Sequence, residues 1–216
     1  MATRDWLGTW ETWRSALNAH GAVIQAFVVE PPAQHEDVAA AEKRLGRPLP
    51  SSLRDVLLTF SAHVWFKWYW KHGPTEPRAL RNLSRHGELE WNCATLQRYR
   101  ADNDDPTDEI FMYGEEGAVL YRETVVFQEV ANGDALAVDF RTGAVVYLDH
   151  EGGPDHGVVL APSFASFVTS YSEIGCSGSD WDVLAPVHVD GRLDPQAPFA
   201  QQWRACLGLP HASGVT

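Results

Sequence analysis

Two short runs between positions 36 and 62 place apolar side chains at helical spacing. In the first run Val38, Ala41 and Leu45 recur at intervals of three and four residues, which predicts a helix with one apolar face. The second run repeats this spacing with four apolar residues, namely Leu53, Val56, Leu57 and Phe60. We therefore expect two consecutive helices whose apolar faces are buried.

A fixed bend separates the two helices. Gly46 follows the first run at the position where helices commonly end in a left-handed residue, which glycine adopts without a clash at Cβ. Pro48 cannot continue that helix, and Pro50 suits the first turn of the next one because no hydrogen-bond donor is lost there. We call the segment Glu42–Pro50 the elbow.

The segment from His63 to Lys71 alternates with a period of two, which predicts a strand. One of its faces is apolar throughout and is expected in the core: Val64, Phe66, Trp68 and Trp70. The other face mixes aromatic rings with cations: His63, Trp65, Lys67, Tyr69 and Lys71. Such a face suits a contact surface, because aromatic side chains bury much area at low entropic cost. It also suits burial beneath an N-terminal helix, with the lysine stems beside the rings, and we favour this second interpretation.

Helices are also predicted near both ends of the chain. A stripe in the first 21 residues is expected to dock a terminal helix onto its own domain, with a partner-binding face as the alternative: Trp6, Leu7, Trp10, Trp13 and Leu17. Ser163 is placed to cap a second helix, whose stripe consists of Phe164, Phe167, Val168 and Tyr171. A last helix is expected over Phe199–Leu207. We expect three parts: a terminal helix (1–21), an α+β domain (22–172) and a C-terminal extension (173–216).

Short β runs follow one another in the middle of the chain. They are Ile110–Tyr113, Val119–Tyr121, Val125–Val130, Ala135–Asp139 and Ala144–Leu148. Asn132–Gly133 is a pair that tight hairpins prefer, because both residues tolerate positive φ. Strands joined by tight turns must be antiparallel, so these runs predict a meander within an α+β fold.

The net charge of −12 disfavours a nucleic-acid-binding protein, whose surface would be basic. The charge is also unevenly placed, since Asp102–Glu151 contains thirteen carboxylates against Arg122 and Arg141. The stretch His63–Arg100 has the opposite sign, with seven Lys or Arg against three Glu. Such asymmetry indicates either a charged partner surface or a solvated acidic face that keeps the protein soluble.

The expected compartment is the cytoplasm. The three cysteines, Cys93, Cys176 and Cys206, are widely spaced and form no CxxC pair, which argues against a disulfide framework. The first residues lack a basic segment followed by an apolar one, so we expect no signal peptide. No apolar run approaches the ~20 residues that a membrane span needs, so we expect no membrane association.

One loop combines imidazole and carboxylate groups of the kind that bind zinc, manganese or iron: Asp149, His150, Glu151, Asp155 and His156. Its spacing is not that of the HExxH motif, and a polar turn explains it equally well. Cys176 lies in a GCSGSD segment that resembles a nucleophile loop, but no paired histidine is evident. We therefore expect no catalytic residues, no bound metal and no cofactor.

The order of these elements resembles the SUKH superfamily, which is named partly for a yeast killer-toxin-resistance protein that regulates cell-wall synthesis. The resemblance covers about Pro31–Tyr171 and includes the Asn132–Gly133–Asp134 turn and the closing helix. Its structural signature lies in the elbow, at Glu42, Leu45, Gly46, Leu49 and Pro50. The resemblance implies an α+β domain with a mixed, largely antiparallel sheet of about six strands and helices packed against it. Glu42 is then either hydrogen-bonded within the elbow or solvated.

The resemblance also implies a function. Bacterial members mostly act as immunity proteins that bind and neutralise a cognate polymorphic toxin, often a nuclease, by occlusion and not by catalysis. The corresponding partner here is a basic protein toxin, because a nuclease must attract phosphates. We expect the contact residues to be acidic side chains around two aromatic anchors, Trp65 and Tyr69. The acidic residues are Asp104, Asp105, Asp108, Glu109, Glu115 and Glu116. The oligomeric state does not follow from the sequence.

Two other functions stay open from the sequence. The chain is alternatively a regulatory scaffold like the fungal relatives, with a housekeeping partner in place of a toxin. It is otherwise a metal-dependent enzyme that uses the His150–His156 loop.

Overall fold

The computed structural model describes residues 5–71, 85–97 and 117–212. Its helices are α1 (Trp6–Ala19), α2 (His35–Leu45), α3 (Ser51–Thr59), α4 (described over 117–122), α5 (Phe164–Glu173), α6 (Trp181–Leu184) and α7 (Pro198–Cys206). Its strands are β1 (Ala22–Val29), β2 (His63–Trp70), β3 (His86–Asn92), β4 (Thr124–Glu129), β5 (Ala135–Asp139), β6 (Val145–Leu148), β7 (Val159–Ala161), β8 (His188–Val189) and β9 (Arg192–Leu193). A short 3-10 helix, Ala185–Val187, follows α6.

The α+β class predicted from the sequence is confirmed. The described strands form three sheets in place of one sheet of about six strands. The first has the order β1-β2-β3, the second β4-β5-β6-β7 and the third β8-β9. Neighbouring strands of the second sheet are antiparallel, as expected for a meander.

The meander has its tight turns where the sequence places turn residues. Gly133 has a φ of 101° in the turn between β4 and β5. This backbone conformation is unfavourable for residues that carry a side chain. Every residue of β5 and β6 is buried, so this sheet is covered on both faces. Phe127 on β4 packs edge-on against Phe164 at the start of α5, with the ring centroids 5.0 Å apart.

The prediction of a strand over Val119–Tyr121 is wrong, because these residues belong to α4. Ala118 and Tyr121 are buried and Val119 is 51% exposed, which is the spacing of one helical face. A run of only three β-formers cannot distinguish a strand from a helical turn by periodicity. The strand expected over Ile110–Tyr113 lies outside the described residues.

The elbow is closed by hydrogen bonds to its own backbone. Gly46 adopts the left-handed conformation with φ 75° and ends α2, and Pro50 is the N-cap of α3. Glu42 reaches from α2 across the bend, where its Oε1 accepts a hydrogen bond of 3.1 Å from the Leu49 amide. The same oxygen lies 3.5 Å from Arg54 Nε on α3. The sequence left the role of Glu42 open, and the structure gives it a structural hydrogen bond.

The chain divides into two compact units, each built from separate segments. One unit contains Met1–Val28, Trp65–Leu89 and Ser166–Thr216, and the other contains Val29–Val64 and Glu90–Ala165. We refer to them as the terminal unit and the central unit. The division into 1–21, 22–172 and 173–216 expected from the sequence stays a prediction.

Tryptophans form the core of the terminal unit. Trp10 of α1 donates a hydrogen bond of 2.7 Å to Ser172 Oγ of α5. Trp13 stacks on Trp203 of α7 at 6.0 Å, and Trp203 stacks on Trp68 of β2 at 5.6 Å. The α1 tryptophans therefore pack on the Trp68 side of β2. The expectation that α1 covers the opposite side, with Trp65 and Tyr69, is wrong.

Replacement of Gly46 tests whether the elbow depends on left-handed backbone. A Cβ at this position would meet no atom within 4 Å, so any cost of Gly46→Ala comes from the backbone conformation and not from a collision. We expect Gly46→Ala to lower the free energy of unfolding by about 1–2 kcal/mol. Gly46→Asn should lower the free energy of unfolding by less, because asparagine tolerates this conformation better than alanine. Urea denaturation of the three proteins measures this, and an alanine variant as stable as the parent would contradict it.

Candidate functional site

The six acidic residues expected at the partner interface lie outside the described residues: Asp104, Asp105, Asp108, Glu109, Glu115 and Glu116. The two expected aromatic anchors are described and belong to β2. Tyr69 is 37% exposed, and Trp65 is half-buried. Their assignment as partner-binding residues stays a prediction.

Glu88 of β3 organises the charges beside these rings. Its Oε1 accepts a hydrogen bond of 3.0 Å from the Trp65 indole nitrogen, and its Oε2 lies 2.9 Å from Lys67 Nζ. One carboxylate therefore fixes both the orientation of the ring and the position of the cation. Sequence reasoning did not single out Glu88, because its partners are more than twenty residues earlier in the chain.

The central unit contains a cluster of potential ligand atoms at one end of the meander. Donor atoms of Asp134, Asp149 and His150 all lie within 4.8 Å of one another. Asp149 and His150 come from the loop predicted as a candidate metal site, whereas Asp134 comes from the turn that precedes β5. The Asn132–Gly133–Asp134 motif was recognised as a turn, but its carboxylate was not predicted to face His150.

The Asp134 carboxylate is 5% exposed and accepts hydrogen bonds from several donors. Its Oδ1 accepts from the His150 backbone amide at 2.9 Å and lies 2.7 Å from His150 Nδ1. Its Oδ2 accepts from Asn132 Nδ2 at 2.6 Å and from the hydroxyl of the buried Tyr147. These contacts tie the turn before β5 to the loop after β6.

The other members of the predicted metal set have separate roles. Asp149 accepts the backbone amides of Glu151 at 2.8 Å and Gly153 at 2.9 Å, which shapes the loop after β6. His156 stacks on Tyr121 with the ring centroids 4.4 Å apart. Glu151, Asp155 and His156 do not belong to the described cluster of potential ligand atoms.

The hydrogen bonds shift the protonation equilibria of the cluster. Burial alone would raise the pKa of Asp134, but the hydrogen bonds from Tyr147, His150 and Asn132 outweigh it and lower the pKa. The hydrogen bond that His150 donates to Asp134 raises the pKa of His150, and burial opposes this rise only in part. Burial lowers the pKa of His156. Both shifts favour the charged form of the group, which is the carboxylate of Asp134 and the imidazolium of His150.

This arrangement does not resemble a site prepared for a metal. Metal ligation needs a carboxylate with free lone pairs and an imidazole nitrogen directed at the ion. Asp134 instead directs both oxygens at protein donors, and His150 directs Nδ1 at Asp134. The hydrogen bonds of this loop therefore have a structural role, because they connect it to the turn before β5.

A nucleophilic role for Cys176 is also disfavoured. It is fully buried in the terminal unit, and burial raises the pKa of its thiol well above the ordinary value of 9.0. A thiol with a raised pKa is mostly protonated, and the thiolate is the nucleophilic form. Cys176 is therefore a packing residue.

The elbow, the meander with its buried central strands and the closing helix α5 are the elements expected of an α+β domain of the SUKH type. The SMI1 / KNR4 family (SUKH-1) model matches residues 32–170, and the chain belongs to this family. A comparison with curated proteins gives no significant match. Within the described ranges, no helix is both long and apolar enough to cross a membrane.

Substitution of Asp134 tests the hydrogen bonds that connect the turn before β5 to the loop after β6. We expect Asp134→Asn to lower the free energy of unfolding by about 1–3 kcal/mol, because buried donors lose a charged acceptor. Tyr147→Phe should cost less, since it removes only one of these donors. Chemical denaturation measures both variants. The matched control is Glu151→Gln, whose side chain is 80% exposed and lies 3.8 Å from His150, and which should change stability little.

The pH dependence of this effect follows from the two pKa shifts. Asp134 has a lowered pKa, so its contribution is present above about pH 4 and is lost as pH falls through the folded-state value. His150 has a raised pKa, so its contribution is present below about pH 6.5 and is lost as pH rises through the folded-state value. The stability difference between the parent and Asp134→Asn should therefore be greatest between about pH 4 and 6.5. A difference that is constant from pH 3 to 9 would contradict the ion pair.

Proposed function

We propose that this protein is a non-catalytic immunity protein that binds a cognate polymorphic toxin and neutralises it by occlusion. Membership of the SMI1 / KNR4 family (SUKH-1) supports a role in protein–protein interaction. The hydrogen bonds of the Asp134 cluster support a non-catalytic function. Its donors and acceptors bind one another and stabilise the fold, so we assign this candidate chemical site a structural role.

The expected charge of the partner follows from the charge distribution along this chain. Asp102–Glu151 carries thirteen of the 29 carboxylates of the chain and two of its 17 cations. A toxin that cleaves nucleic acid needs a positive active site, so an acidic surface would be attracted to it and would compete with its substrate. We place the rim of this interface at the acidic residues expected from the sequence: Asp104, Asp105, Asp108, Glu109, Glu115 and Glu116.

Trp65 and Tyr69 are proposed as the aromatic anchors. Aromatic rings contribute strongly to binding when the complex removes them from water. Tyr69 is 37% exposed, so it has area left to bury. Trp65 is already oriented by Glu88, so little further ordering is needed on binding.

Charge reversal tests the acidic rim of this chain, with the product of the neighbouring gene as the expected toxin. The variant Asp104→Lys/Asp105→Lys/Asp108→Lys should associate about tenfold more slowly than the parent at low salt, because steering depends on these charges. Stopped-flow mixing at about 0.02 and 0.5 M salt should show that high salt slows the parent and nearly removes this difference.

The matched control reverses three exposed carboxylates elsewhere: Glu11, Asp55 and Asp182. Both variants have the same net charge, so a loss confined to the first set identifies the rim and not the overall charge. Equal effects of both sets, or association independent of salt, would contradict the acidic rim. A neighbouring protein that does not bind, together with a housekeeping partner that does, would favour the regulatory scaffold.

A further inference from the structure

One face of the first sheet can be assigned from strand alternation. Phe27 of β1 contacts Phe66 of β2 edge-on, with the ring centroids 5.4 Å apart, so both side chains lie on the inner face. Successive residues of a strand point to opposite faces. Ile24, Ala26 and Val28 of β1 therefore share the other face with Trp65, Lys67, Tyr69 and Lys71.

The third strand extends this face. The Trp70 amide donates a hydrogen bond of 3.0 Å to the Arg85 carbonyl, and Lys67 pairs with Glu88 at 2.9 Å. A Cβ on Gly87 would lie 2.3 Å from Trp68 Nε1, so Gly87 is directly opposite Trp68. These contacts share one antiparallel register, which places His86 opposite Tyr69. We define the outer face as Ile24, Ala26, Val28, Trp65, Lys67, Tyr69, Lys71, His86 and Glu88.

The outer face is not buried by the described part of the chain. Each of its nine residues retains solvent contact, and Tyr69, Lys71 and His86 are exposed. On the inner face, by contrast, Phe66 is 1% exposed and Trp68 is fully buried. A sheet face with aliphatic residues and two aromatic rings left in contact with solvent is typical of a protein-binding surface.

The charges at one end of the first sheet are positive, where Lys71 lies on the outer face and Arg85 lies opposite Trp70. Lys67 is neutralised by Glu88, and His86 Nε2 lies 3.2 Å from Asp180. Lys71 and Arg85 form no ion pair within the described residues, and both are exposed. Together with Tyr69, Trp70 and His86 they line a cleft of about 600 Å³. Two unpaired cations beside an aromatic ring suit carboxylates next to an apolar side chain.

We propose that the outer face binds a protein segment in which an apolar side chain is flanked by carboxylates. The apolar side chain packs on Tyr69. One carboxylate pairs with Lys71 on the outer face and another with Arg85 at the end of the sheet, where both cations line the same cleft. This surface shares Tyr69 with the proposed function and goes beyond it, because it states which partner side chains meet that ring. The acidic rim would face the basic groups of the partner, whereas the segment that packs on Tyr69 carries carboxylates.

Site-specific photo-crosslinking tests this proposal with the full-length chain in the cells that naturally produce it. The photoreactive residue benzoylphenylalanine replaces Tyr69 in one protein and Val189 in the control. These two side chains are matched in exposure, at 37% and 39%. We expect an adduct from position 69 and none from position 189. Mass spectrometry should identify a cross-linked segment with at least two Asp or Glu close to an apolar residue.

A synthetic peptide of that segment then serves as the probe in calorimetric titrations. Lys71→Glu/Arg85→Glu should weaken its binding at least about tenfold at low salt, and Tyr69→Ser should weaken it similarly. The charge-matched control Lys43→Glu/Arg192→Glu, which reverses two exposed cations elsewhere, should bind within about threefold of the parent. Circular dichroism establishes that each variant is folded before titration.

Several results would overturn the proposal. They are the absence of an adduct at position 69, equal adducts at both positions, cross-linking to a second copy of the chain, and cross-linking to a basic segment. A peptide whose binding is unchanged by Lys71→Glu/Arg85→Glu would also overturn it. A toxin that binds the chain but leaves no adduct at position 69 would preserve the immunity function and its acidic rim, and would refute this surface together with Tyr69 as an anchor.

Discussion

The central unit depends on the hydrogen bonds that the buried carboxylate of Asp134 accepts. A charge with 5% exposure is costly unless donors replace the water that it has lost. Asn132, Tyr147 and His150 supply those donors from the turn before β5, from β6 and from the loop that follows it. The network couples three parts of the meander. The same hydrogen bonds lower the pKa of Asp134 and raise that of His150, so they favour the charged forms of both groups.

Other charged groups of this chain are used in the same structural way. Glu42 holds the bend of the elbow through the Leu49 amide, and Glu88 orients Trp65 and Lys67. In the terminal unit Arg204 lies 2.9 Å from Glu173 and is 7% exposed. These described carboxylates bind backbone amides and neighbouring side chains. This pattern fits a domain that acts through its surface, as proposed for this member of the SMI1 / KNR4 family (SUKH-1).

Local chemistry made part of the fold predictable from the sequence. The elbow followed from Gly46 and its prolines, and the β4–β5 turn followed from Asn132–Gly133, because these residues restrict their own backbone. Contacts between distant residues were not predictable. The stacking of Trp13 on Trp203 joins opposite ends of the chain, so the side of β2 that α1 covers was assigned wrongly. The pairing of Asp134 with His150 was missed for the same reason, although both residues had been noticed separately.

Metal analysis of the purified protein tests most directly whether the Asp134 cluster is structural. The protein is dialysed against Zn²⁺ or Mn²⁺, and bound metal is measured by elemental analysis beside His150→Gln and Asp149→Asn. The structural account predicts less than about 0.1 equivalent of either metal, with no difference between the parent and the variants, because the ligand atoms already bind protein donors. One equivalent of metal in the parent that is lost in both variants would contradict it and would favour a metal-dependent function for this loop.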